Sequence, residues 1–308
     1  MLRYRKYFYI LSFTLVAGSI FALLFLGLRL GIDFTGGSMM EVAFKDTAPS
    51  HEMITNALAE FELGEVVIQG TGQAGMILRF REVDEILHQK ILGKLQGLGS
   101  GNSASTSVSS VEERRFEAVG PVIGKEIKEK TFWAILLAII LMLIYVAWAF
   151  QRVSFPVRSW VYGIVAIITL CHDVLITVGV FSLLGYILHI EVGVPFIAAM
   201  LTVWGYSVND TIVIFDRIRE NLLRQGSGFD FGKIIDQSVR QTFVRSLNTS
   251  LTVLFSLLAI FFFGGESIRY FVLALIVGVV IGSYSSLFLA SPLLFSWAML
   301  ERRKKGKS

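Results

Sequence analysis

Apolar residues fill six stretches of the chain, each about 20 residues or longer, and polar positions gather in the segments between them. Tyr7–Leu28 and Thr131–Phe150 contain no charge. Ser159–Ile190 carries only His172, Asp173 and His189, and Val192–Phe215 carries only Asp210. Ser246–Gly265 and Tyr270–Leu300 are again uncharged. A hydrocarbon core about 30 Å thick takes roughly 20 helical residues at 1.5 Å each, so the pattern predicts six transmembrane helices. The third is expected to end near Gly185, and Pro195 suits the first turn of the fourth.

Residues 29–130 follow a different rhythm. Ser38–Phe44 reads as a strand, Ser50 as the cap of a helix through Phe61, and Glu65–Gln69 and Met76–Phe80 as strands around the turn Gly70-Thr71-Gly72-Gln73. Asp84–Leu98 has apolar residues at helical spacing. Gly99–Ser110 is a Gly/Ser/Asn-rich loop, and Val111–Val119 is a last charged strand. The order β-α-β-β-α-β predicts a small ferredoxin-like α/β extracytoplasmic domain between the first two spans. Between spans four and five, Phe231, Ile234, Ile235, Val239 and Phe243 recur at helical spacing among charges. That pattern predicts an amphipathic cytoplasmic helix near 229–244, lying along the interface.

Composition agrees with a membrane protein. Of 308 residues, 54% are apolar and 17% charged, against about a quarter charged in soluble domains, and the mean hydropathy is +0.65. A soluble cytosolic enzyme and a disordered chain are both excluded. Residues 29–130 hold 11 Lys/Arg and 15 Asp/Glu, while the rest hold 17 and 9. The single Cys171 permits no internal disulfide. No Ser/His/Asp set, Cys/His pair or ligand cluster stands out, so no enzyme activity, cofactor or metal is expected.

Charge placement predicts the orientation. Arg3, Arg5 and Lys6 precede the first span, and Arg152 and Arg158 lie between the second and third. Arg217, Arg219, Arg224, Lys233, Arg240 and Arg245 lie between the fourth and fifth, and 301–308 is a basic tail. The alternate loops hold Arg269 alone. Both termini are expected in the cytoplasm and 29–130 outside. Residues 1–28 could also be taken for a signal peptide, but the apolar stretch is long and lacks a small-x-small cleavage site, so an uncleaved anchor is expected. The basic tail is read as a topology signal rather than a nucleic-acid site.

Ionisable groups inside spans are costly and mark pathways or helix contacts. Asp173 lies about 20 Å along the third helix from Trp160, and Asp210 about 9 Å along the fourth from Asp216. These depths argue against a proton-sharing dyad. Arg245 opens the fifth span and is expected to pair with Asp210, either as structural glue or as a pair that breaks and forms with a proton. His172 is expected on a different helix face from Asp173. Ala274, Gly278, Gly282, Ser286 and Ala290 form a small-residue stripe that suits a close helix contact, within the chain or with a partner.

Several motifs resemble one family over essentially the whole chain. They are Gly31-Ile32-Asp33-Phe34-Thr35-Gly36-Gly37, Val119-Gly120-Pro121-Val122-Ile123-Gly124-Lys125-Glu126 and His172-Asp173-Val174-Leu175-Ile176-Thr177. The most specific runs from Gly205 through Asn209 and Asp210 to Asn221. Together they resemble the SecF family, the smaller half of bacterial SecDF complexes in the resistance-nodulation-division superfamily. The resemblance implies a proton-sensing Asp210 with Arg245 as its partner, and an alignment at Arg245 that the residues around Gly226–Gly228 could shift. It also implies a multi-pass subunit of the bacterial inner membrane that uses the proton-motive force, with SecD, to export preproteins through SecYEG. Partners expected on this basis are a SecD-like protein, SecYEG, YajC, the translocating preprotein and membrane lipids, with no nucleic acid. The rival readings are a half-sized exporter of lipids or small hydrophobic molecules and a non-energised structural subunit.

Overall fold

The computed structural model describes residues 2–45, 49–71, 75–99, 111–149, 157–225 and 230–305. In chain order the elements are α1 (Arg5–Phe25), α2 (Ile32–Thr35), β1 (Gly37–Phe44), α3 (His51–Leu58), β2 (Val67–Thr71), β3 (Gly75–Phe80), α4 (Glu85–Gly99) and β4 (Val111–Val119). They continue with α5 (Pro121–Ala149), α6 (Ser159–Leu188), α7 (Val194–Gln225), α8 (Phe231–Phe263), α9 (Glu266–Ser285) and α10 (Ser291–Lys305), the last two joined by a π-helical turn at Ser286–Ala290. The Gly72-Gln73 turn, the Gly/Ser/Asn-rich loop, Arg152, Gly226–Gly228 and the last residues of the tail lie outside the described residues. The chain divides into two units, Leu30–Phe132 and the remainder.

In the smaller unit the four strands form an antiparallel sheet in the order β2-β3-β1-β4. This is the ferredoxin-like arrangement, with α3 and α4 supplying the second layer. Ser50 caps α3 by accepting from the Met53 amide at 3.3 Å, and Asp84 caps α4 by accepting from the Leu87 amide at 2.9 Å. Met40, Val42, Leu78, Ile54, Leu58 and Ile91 close the core.

The remainder contains, among the described residues, six helices long and apolar enough to cross a membrane, the last formed by α9, the π turn and α10 together. α6 runs to Leu188, one turn past the expected end at Gly185, and stops where His189 takes a left-handed φ of 57°. Pro195 falls in the first turn of α7.

The expected interfacial helix near 229–244 is not a separate element. α8 is one continuous helix of 33 residues, and its charged first half packs on the bundle through buried Ile234, Ile235, Ser238, Val239 and Thr242. The apolar spacing marked a buried face, and a neighbouring helix rather than the membrane surface covers it. The small-residue stripe is resolved as well. A Cβ on Gly278 would lie 2.3 Å from a Val203 methyl, and one on Gly282 would lie 3.0 Å from the Ser207 Cβ. The stripe is the seat of α7 within the chain, not a partner surface. A Cβ on Gly179 would likewise lie 2.3 Å from the Ser19 Cβ, bringing α1 close to α6.

Candidate functional site

The α7–α9 contact admits no side chain at Gly278 and leaves little room for one at Gly282, so the polar groups of both helices meet. Asp173 on α6 is fully buried there. Its Oδ2 accepts from the Ser207 hydroxyl of α7 at 2.5 Å and from the Ser285 hydroxyl of α9 at 2.8 Å. Its Oδ1 lies 2.9 Å from Nδ1 of His172, so the imidazole turns back onto its neighbour instead of facing elsewhere. The His172 ring also stacks over Tyr284, centroids 6.2 Å apart. One carboxylate thus ties three helices.

Asp210 lies one turn beyond Ser207 on α7 and is buried. Its Oδ1 accepts from the Ser246 hydroxyl of α8 at 2.6 Å. Its Oδ2 has no hydrogen-bond partner among the described residues. Ser286, which opens the π turn, bonds the Gly282 carbonyl and stands beside this carboxylate. Ser285 and Ser286 are therefore divided between the two aspartates. A π turn at that junction widens the helix where the two hydroxyls diverge.

The expected ion pair with Arg245 is replaced by a hydroxyl. Adjacent residues on a helix point about 100° apart, and it is Ser246 that faces Asp210. Arg245 is exposed and within electrostatic reach of Asp210, but forms no ion pair with it among the described residues. With Asp216, Arg217, Glu220, Gln241 and Thr242 it lines a cavity of about 470 Å³ whose other walls are the apolar Ala149, Ile212 and Val213. The two aspartates are not bonded to each other, and they stand closer in depth than their distances from Trp160 and Asp216 suggest. Ser207 touches Asp173 and sits only about 4.5 Å of helix rise from Asp210.

Sequence reasoning missed the hydroxyl ladder of α8. Ser238, Thr242, Ser246 and Ser250 recur every fourth residue and are all buried. Ser250 accepts from Tyr206 at 2.8 Å and lies 2.7 Å from Ser283, while Asn221 donates to Ser238 at 2.8 Å. The signal was present as Ser/Thr at a four-residue interval through a charged and then apolar helix. Asn209 is exposed and takes no part in this network among the described residues.

The Gly31–Gly37 and Gly120–Pro121 motifs meet in the smaller unit. Gly31 caps the single turn α2, whose first turn holds Asp33. Gly36 and Gly37 have φ of 74° and 124°, conformations that L side chains rarely adopt. A Cβ on Gly36 would lie 2.9 Å from the Pro121 Cα, and one on Gly124 would lie 3.0 Å from the Gly36 nitrogen. The two motifs form one backbone-to-backbone junction. In the same unit His88 is buried between Glu85 and Glu113, at 3.1 and 2.9 Å, and stacks on Phe116. No group of three metal-ligating side chains is present among the described residues.

Six apolar helices, a ferredoxin-like insertion after the first and buried carboxylates at the helix contacts define a polytopic membrane protein. Residues 100–300 match the model of the protein export membrane protein SecD/SecF C-terminal region, and residues 21–48 match the SecD/SecF GG motif. The chain belongs to the SecF family of protein translocase subunits. It is 44% identical to SecF of Thermobaculum terrenum, covering 96% of this chain and 93% of that one. It is 39% identical to SecF of Haemophilus influenzae, covering 94% and 83%. Among solved structures it is similar to SecDF, described as a translocon-associated membrane protein, from Thermus thermophilus, with TM-score 0.78 and 31% identity. That match covers 96% of this chain but 38% of the SecDF chain.

Proposed function

We propose that this SecF-family chain pairs with a SecD-like protein and couples the proton-motive force to export of preproteins through a SecYEG channel, from the bacterial inner membrane with both termini in the cytoplasm. One observation carries the coupling. Asp210 is buried between α7 and α8 with one oxygen bonded to Ser246 and the other without a partner among the described residues. A carboxylate so placed has an oxygen free to take a proton, and Arg245 borders a cavity of mixed polar and apolar lining that includes Ile212 and Val213 of the same helix as Asp210.

The two protonation states make different demands. Ionised Asp210 keeps the Ser246 hydroxyl as donor and attracts the Arg245 guanidinium. Neutral Asp210 becomes a donor itself and releases that attraction. The α7–α8 contact is therefore the element that responds. Ser207, one turn away, carries the response to Asp173 and so to α6 and α9. Asp173, with three partners already in place, acts as the fixed hub.

Infrared difference spectroscopy of the reconstituted complex across a pH jump tests the assignment. A protonated-carboxyl band should appear in wild type and in Asp173→Asn, and be absent in Asp210→Asn. Its persistence in Asp210→Asn removes the residue from proton uptake and favours a non-energised structural subunit.

A further inference from the structure

A cavity of about 330 Å³ separates α5 from α6 and α7. Ile139 and Val146 line it from α5, Leu170 and Val174 from α6, and Trp204 and Val208 from α7. The wall is apolar throughout. A bound water needs two to four polar partners, so this space does not hold water. Between residues 133 and 149 of α5 only Val146 is fully buried, while Ile135, Ala138, Ile139 and Met142 pack half-buried on the bundle beside the cavity. The volume falls within the range of about 300–1,000 Å³ in which proteins hold small ligands. Around membrane-spanning helices the thin apolar group in unlimited supply is the lipid alkyl chain.

We propose that the space between α5 and the α6–α7 pair is a binding site for one acyl chain of a bilayer phospholipid. Its position gives it a consequence. Leu170 and Val174 stand three residues before and one after Asp173, and Trp204 and Val208 flank Ser207 in the same way. The acyl chain therefore packs against the residues on both sides of the Ser207–Asp173 hydrogen bond. It fills the gap between the side chains by which α5 packs on the bundle.

The test uses the full chain with Trp204 as its sole tryptophan (Trp133, Trp148, Trp160 and Trp297 replaced by Phe), reconstituted into phosphatidylcholine brominated on its acyl chains. Trp204 is 5% exposed, yet its emission should be at least halved relative to unbrominated vesicles. Cys171→Phe projects a ring into the cavity from an exposed position, and should restore most of that emission. Ala166→Leu, also on the cavity wall, is a second plug should the first unfold the chain, with the thermal midpoint reporting folding. A chain keeping only Trp148, which is 65% exposed, should be quenched with or without either plug. In native mass spectra the plugged chain should retain one phospholipid fewer. Unquenched Trp204, or quenching that neither plug relieves, overturns the proposal.

Discussion

Ser207 of α7 donates to Oδ2 of Asp173 at 2.5 Å, and the same oxygen accepts from Ser285 of α9 at 2.8 Å. Asp173 is thereby a three-helix joint, while Asp210, one turn along α7 from Ser207, has the Ser246 hydroxyl on one oxygen and no hydrogen-bond partner on the other among the described residues. The two intramembrane carboxylates are chemically alike, and their surroundings give them different work.

Asp173→Ala removes the acceptor facing Ser207 and His172 and leaves Ser285 with the Gly282 carbonyl alone, at about 1–3 kcal/mol for each buried group left unsatisfied, reduced where the chain relaxes. The thermal midpoint of the purified protein should fall clearly. Asp173→Asn keeps one carbonyl acceptor and should fall less. Equal midpoints for wild type and Asp173→Ala would contradict the joint.

Gly278→Ala places a methyl 2.3 Å from Val203, and overpacking of this kind costs about 1–3 kcal/mol. Gly205→Ala meets nothing within 4 Å and should leave stability unchanged. Thermal unfolding of the two variants side by side checks the assignment of the stripe to the α7–α9 contact. An equally tolerant Gly278 would return the stripe to a partner surface.

The smaller unit carries an acid-sensitive contact. Gln89 and then His88 hydrogen-bond the Glu85 carboxylate and hold it below the usual glutamate range. A depressed acid stabilises the fold above its unfolded-state value, and that contribution disappears as pH falls through its lower folded-state value. Hydrogen-exchange protection at the start of α4 should therefore weaken as pH drops below the glutamate range. Glu85→Gln should flatten that dependence, and an unaltered profile in Glu85→Gln would assign it to other groups.

The orientation rests on the distribution of Lys and Arg about the spans. With Cys171 replaced by Ser, a cysteine at Ser50 should react with a membrane-impermeant maleimide in intact spheroplasts. One at Ser154 should react only after permeabilisation. The reverse pattern would invert the protein in the membrane.

Much of the architecture was legible because it follows from periods along the chain. Apolar length marked the six spans, and alternation with capping residues such as Ser50 marked the β-α-β-β-α-β unit down to the Val111–Val119 strand. What failed concerned which surface lies opposite which. The spacing of Ile234, Ile235 and Val239 marks a buried face, but a membrane surface and a neighbouring helix produce the same spacing. Arg245 reads as the partner of Asp210 because charge is conspicuous in a sequence, whereas the 100° step between neighbours turns Ser246 inward instead. The hydroxyl ladder went unread because Ser and Thr carry no charge to draw notice. The depths of Asp173 and Asp210 were measured from helix ends, and the cross-helix bond from Ser207 is what sets their true separation.

Asp210 is proposed to answer to the proton gradient. Asp210→Asn keeps the shape and an acceptor for Ser246 while removing the charge, so the chain should fold and assemble with its SecD-like partner. The direct measurement is export of a secretory precursor into inverted membrane vesicles, with and without an imposed proton-motive force, at matched levels of wild type and Asp210→Asn. Wild type should show gradient-stimulated export above the gradient-free rate, and Asp210→Asn should lose the part of that stimulation that depends on this chain. Full gradient-stimulated export by Asp210→Asn would contradict the account.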